Sequence, residues 1–132
     1  MVHCVHYYDG KLDVKTLKQV LIWTVEKVPV LHSAFHGNLV EPYWSVEGYT
    51  LGDFFIEKDT DDVEKDIDEF ITGDIPVDSN VQLRVALFHD GDRDVLCFLV
   101  NHMCMDGGDL KYFMKKLAEN YNKLLGGDRS LH

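Results

Sequence analysis

Two apolar segments that can only be paired strands constrain this chain most. Val81, Leu83, Val85 and Leu87 alternate with Gln82, Arg84, Ala86 and Phe88, the period of two expected when side chains point to opposite faces of a sheet. Asp94 to Val100 follows almost at once and is apolar at every position from Val95 on, as in a strand buried on both faces. Between them stands His89-Asp90-Gly91-Asp92. An Asp-Gly pair flanked by strand patterns predicts a hairpin, because glycine reaches the positive φ that a tight turn needs. A hairpin whose return strand is buried on both faces requires neighbours above, below and alongside it. The rest of the chain has to supply them.

It supplies helices and further strands. Val2 to Tyr8 reads as a strand ended by Asp9-Gly10. Asp13 is a candidate N-cap, after which Leu17, Val20, Leu21, Thr24, Val25 and Val28 share one helical face. Pro29 stops that helix. Val30–Phe35 and Tyr43–Val46 read as strands joined at Gly37-Asn38, and Phe54–Glu57 as a short strand. An acidic start at Thr60-Asp61-Asp62 leads into a second helix with Val63, Ile67, Phe70 and Ile71 as its apolar stripe, closed by Gly73 and Pro76. The third helix runs from Asp109 to Leu125, with Leu110, Phe113, Met114, Leu117, Tyr121 and Leu124 on one side and Gly126-Gly127 at its end. Helices and strands mix along the chain, so the predicted fold class is α/β, a two-layer α/β sandwich with a mixed sheet, in one domain over residues 1–132.

Composition narrows the function. A net charge of -10 in 132 residues disfavours nucleic acid and anionic membrane as partners. No apolar run exceeds about six residues, too short to span a bilayer. The opening Met1-Val2-His3-Cys4-Val5-His6 lacks a basic stretch followed by an apolar one, which predicts no signal peptide. The three cysteines, Cys4, Cys97 and Cys104, are odd in number and form no CxxC pair. A reducing, cytoplasmic setting fits them best.

The chemistry concentrates at Asn101-His102-Met103-Cys104-Met105-Asp106-Gly107. A histidine at the end of a rigid strand is well placed to serve as a general base, because imidazole titrates near neutral pH. The plain alternative is a structural histidine at the strand end. Asp106, at the start of the last helix, suits a cap on its exposed amides. Gly107 and Gly108 permit a tight turn and close approach of the backbone to a ligand. Cys104 sits two residues from His102, past the end of the strand, where a spacing of two usually points side chains apart. His3, Cys4 and His6 lack the paired spacing of a zinc site, so no metal is expected.

The His-x-x-x-Asp-Gly pattern after a buried strand resembles the active-site motif of the chloramphenicol-acetyltransferase-like superfamily. That group holds the condensation domains of nonribosomal peptide synthetases and the CoA-dependent acyltransferases. Leu12-Asp13-Val14-Lys15-Thr16-Leu17 is similar to the family's Leu-Asp-x-x-x-Leu, and Lys27 to Phe35 to its Arg-His-x-x-Leu-Arg-Thr-x-Phe. The likeness runs from about Tyr7 to Leu125, in the family's order. It implies half of a CoA-dependent acyltransferase fold, the N-terminal half. Its donor would be acyl-CoA or a phosphopantetheine thioester, taken as a substrate rather than a tightly bound cofactor.

The resemblance implies His102 as catalytic base, with Asp106, Gly107, Asn101 and His32 as structural residues around it. Asn101 replaces the first histidine of the longer His-His-x-x-x-Asp-Gly form, a change common in the family. His32 replaces an arginine that often pairs with the motif aspartate. Histidine makes that contact only as an imidazolium or as a neutral hydrogen-bond donor. The family's second half is absent, so activity would need a second half-domain, from another chain or from a homodimer partner. The rival reading is a non-catalytic binding or scaffolding module that keeps the half-fold without the reaction.

Overall fold

The structure is a computed structural model, and it describes residues 2–28, 31, 33–36, 43–46, 48–76, 79–101 and 107–125. The predicted hairpin is its centre. Strand β5 (Leu83–Asp90) and strand β6 (Arg93–Val100) pair antiparallel from Leu83↔Val100 to Asp90↔Arg93. The two-residue turn between them puts Gly91 at φ +60, while no other residue type has positive φ among the described residues. Positive φ at the first turn position alone is the pattern of a II′ turn, in which glycine belongs.

The first strand, β1 (Val2–Tyr8), pairs antiparallel with the other edge of β6, from Val2↔Val100 to Tyr8↔Asp94. On the far side, β4 (Phe55–Asp59) runs parallel to β5. The four-stranded sheet therefore has the order β1-β6-β5-β4 and is mixed. A parallel neighbour needs a crossover, and helix α2 (Val63–Ile71) provides it. The outer strand β4 is short and carries Glu57, Lys58 and Asp59, charges that discourage pairing with another sheet. Two further strands, β2 (Ser33–His36) and β3 (Tyr43–Val46), pair with each other as a separate antiparallel ribbon.

The two faces of the hairpin meet different covers. Leu83, Val85, Leu87, Leu96, Phe98 and Val100 face helix α1 (Val14–Glu26) and helix α3 (Gly107–Leu125), which contribute Leu17, Val20, Leu21, Val25, Leu110, Phe113 and Leu117. Ala86, Phe88, Val95 and Cys97 face α2 through Ile67, Val63, Phe70 and Ile71. This second cover is why β6 is apolar at every position from Val95 onward. The rings of Phe98 and Phe113 meet edge-on at 6.4 Å, a favoured arrangement for aromatic pairs. The α/β class and the mixed sheet are those expected, and the helical stripes face inward as predicted.

The differences are local. Leu31 begins no strand: its N–H donates to Val28 O (2.9 Å), closing a turn, and its side chain is fully buried. The strand starts at Ser33 instead. The segment before β4 is a single 3-10 turn at Leu51–Asp53, held by Thr50 N–H donating to the Asp53 carboxylate (2.8 Å), so β4 begins at Phe55 and extends to Asp59. Asp13 does occupy the N-cap of α1, but its carboxylate takes the Thr16 hydroxyl instead of a backbone N–H.

Replacing Gly91 by alanine forces a Cβ into the left-handed region. The expected loss is about 1–2 kcal/mol of folding stability, measured by urea denaturation as a lower midpoint with an unchanged slope.

Candidate functional site

The end of β6 is fixed by one buried residue on the neighbouring strand end. Gln82 is fully buried just before β5, and Asn101 is 6 % exposed just after β6. Gln82 uses all four of its polar groups. Its N–H donates to Leu31 O (2.6 Å) and its carbonyl accepts from Asn101 N–H (3.1 Å). Its side-chain Oε1 accepts from Asn101 Nδ2 (3.1 Å), and its Nε2 donates to Ser79 O (3.0 Å). Arg84 staples the same stretch by donating to Val81 O, Leu83 O and Ser79 Oγ. Buried amides satisfied this fully hold one geometry, because an alternative would strand a polar group away from water.

The consequence concerns the motif. Leu31 and Asn101, the residues immediately before His32 and His102 in the chain, both bind Gln82. Two segments 70 positions apart are thereby anchored at one point. His102, Asp106 and His32 themselves lie outside the described residues. Gly107 is the first residue of α3, two positions earlier than the predicted helix start at Asp109. Asn101 sits where the strand-end reading put it, and its tie to Gln82 explains what an amide does there. Gln82 was legible only as one polar position in an alternating strand; its burial is the signal that sets it apart, and burial on both sides follows from tertiary packing.

A second polar cluster, absent from the sequence reading, lies at the other end of β6. Asp94 is fully buried. It accepts from Leu12 N–H (2.7 Å) and Lys11 Nζ (3.1 Å), and it meets His89 Nδ1 at 2.7 Å. His89 Nε2 reaches Glu57 at 2.6 Å. Asp94 and Asn101 are seven residues apart, about 23 Å at 3.3 Å per residue, so this cluster is separate from the motif end. It ties the lead into α1 to the hairpin and to β4.

Its ionisations carry a pH dependence. Burial raises the Asp94 carboxyl, but the Leu12 N–H, His89 and Lys11 outweigh burial and hold it below the ordinary 3.8. The bond to Glu57 lifts His89 above its ordinary 6.5 against partial burial, and Asp94 adds to the rise.

Among the described residues no group of three or more His, Cys, Asp or Glu side chains is arranged to hold a metal ion. No helix among them is long and apolar enough to cross a membrane.

Comparison with known proteins gives a consistent answer. The condensation-domain family model matches residues 1–131. Gramicidin S synthase 2 of Aneurinibacillus migulanus is 26% identical over 121 residues, covering 90% of this chain and 3% of that protein. The first condensation domain of the calcium-dependent antibiotic synthetase, in complex with a substrate analogue, superposes with a TM-score of 0.80 at 25% identity, covering 95% of this chain and 32% of that one. The X-domain from teicoplanin biosynthesis shares the fold, with a TM-score of 0.82 at 18% identity over 96% of this chain and 28% of that one. The chain thus spans about a third or less of the proteins it matches.

Two measurements check the polar clusters. Gln82→Leu leaves the Asn101 amide without its side-chain acceptor and should lower stability by about 1–3 kcal/mol; adding Asn101→Leu should restore part of it, read by denaturant titration of the double-mutant cycle. For the other cluster, His89 stabilises fully below its unfolded value near 6.5, and this is lost as pH rises through its elevated folded value. Asp94 stabilises above about 3.9, and this is lost as pH falls through its depressed folded value. The melting temperature should therefore peak between those limits, and His89→Gln should flatten the fall on the alkaline side, as followed by circular dichroism at stepped pH.

Proposed function

The chain belongs to the condensation-domain family, and from that premise we propose that it forms the N-terminal half of an acyl-transfer site. The donor is an acyl thioester, on a carrier-protein pantetheine or on CoA. The acceptor is an amine, hydroxyl or thiol. His102 is the general base: it takes or positions the acceptor's proton as the acceptor attacks the thioester carbonyl, and the thiol of the donor departs. Asp106 and Gly107 shape the turn into α3, and His32 supplies a hydrogen-bond donor to that loop.

The observation that carries this reading is the anchoring at Gln82. A base is effective when the backbone that delivers it has one geometry, since small misplacements lose much of the rate. Asn101, one residue before His102, is buried and bound to Gln82 through both backbone and side chain. Leu31, one residue before His32, is bound to the same residue.

A second half-domain completes the site in this proposal, contributed by a further segment or another chain; a homodimer is the other route. The free thiols of Cys4 and Cys97 suit a reducing, cytoplasmic setting.

The test combines this chain with the C-terminal half of a condensation domain and follows product by mass spectrometry, using an aminoacyl-pantetheine donor and an amine acceptor. His102→Ala should lower turnover about a hundred- to ten-thousand-fold while the thermal midpoint stays near that of the parent. Unchanged turnover in that variant excludes His102 as the base.

A further inference from the structure

A groove of about 790 Å³ runs between β1 and α3, with Leu17, Leu96, Phe98 and Met114 among the residues that line it. Its β1 wall carries Cys4 and His6. Residues two apart on a strand share a face, and here the two side chains touch: Cys4 Sγ lies 3.3 Å from His6 Nε2. A thiol beside an imidazole is the pairing that nucleophilic catalysis uses, provided the ring nitrogen facing the sulfur carries the lone pair. The opposite wall carries Lys111 and Lys115, one helical turn apart and both exposed. They place positive charge beside an apolar groove on a protein of net charge -10.

The other described cysteine provides the contrast. Cys97 is fully buried on the α2 side of the sheet. Burial pushes its thiol up to about 12, which keeps it protonated and inert. Cys4 is half-buried, faces a cavity and has a base in contact.

We propose that Cys4 is an acyl-accepting thiol, with His6 as its base and the β1–α3 groove as the seat of the acyl chain. The donor is an acyl thioester with an anionic head, which the two lysines attract. In the transfer, the Cys4 proton moves to His6 Nε2 as Sγ bonds to the carbonyl carbon. The donor's carbon–sulfur bond breaks, and the proton passes from His6 to the departing thiolate. The products are acyl-Cys4 and a free thiol, with no change of oxidation state. The donor class is that of the proposed function, but the residues differ: His102 takes no part in this step.

The chain is incubated with octanoyl-CoA and followed by intact mass and peptide mapping. The expected result is one octanoyl group on Cys4, removed by neutral hydroxylamine and absent from Cys4→Ser at that position. His6 is exposed, so His6→Gln leaves the core intact and should slow labelling at least ~tenfold. Acetyl-CoA, whose acyl group does not fill the groove, should label more slowly than octanoyl-CoA. His102→Ala should label at the parent rate, which separates this step from the transfer proposed above. The proposal is overturned if Cys4 stays unmodified, if the label goes to Cys104 or lysine instead, if His6→Gln labels at the parent rate, or if acetyl-CoA matches octanoyl-CoA.

Discussion

Strand β6 makes backbone hydrogen bonds along both edges, to β1 and to β5, and from Val95 to Val100 it has no exposed side chain. A strand enclosed on four sides cannot slip. A one-residue shift against β5 would exchange the set that faces α1 and α3 for the set that faces α2. The first set includes Phe98 and Val100, and the second Val95 and Cys97, which differ in volume. The other strands of this sheet and the helices take their positions from this one: β1 and β4 by pairing outward from the hairpin, the helices by covering its two faces. Close packing then makes the register costly to change, since interiors tolerate little unfilled or overfilled space.

Polar groups mark both ends of that apolar strand, and they do different work. At the hairpin end, Asp94 collects a backbone N–H, a lysine and a histidine. A buried carboxylate without such partners would be strongly unfavourable. At the other end, Asn101 and Gln82 are neutral, so the end of β6 is held by amides rather than by a carboxylate. The distinction matters for the base proposed above. A carboxylate in that position would favour the imidazolium, whereas a neutral amide anchors the backbone and leaves the proton affinity of a nearby imidazole to other groups.

Much of this was legible in the residues, because hydrophobic period and turn chemistry are local. Gly91 announced the hairpin, and the stripe of Leu17, Val20, Leu21 and Val25 announced α1 with its buried face. The ordered motifs identified the family that the comparison then showed. What escaped was set by partners distant in sequence. Leu31 is apolar next to Val30 and so reads as strand, yet its carbonyl is taken by Gln82, 51 positions later. His89 and Asp94 read as turn and strand start; their contacts with Glu57, Lys11 and Leu12 need the tertiary structure to exist first. Asn101 was visible as a substitution within a motif, and its function as an anchor became visible only with Gln82 beside it.

The pairing of β1 with β6 also fixes an order of events during synthesis. Tyr8 pairs with Asp94, so the first strand is made 86 residues before its partner. At roughly 5–20 residues per second, β1 waits about 4–17 s with neither edge occupied. The hairpin needs only its own sixteen strand residues and the turn, and such a local unit closes in about 1–10 μs. The nascent chain therefore holds an early strand in reserve until a late hairpin presents the edge it was made to fill.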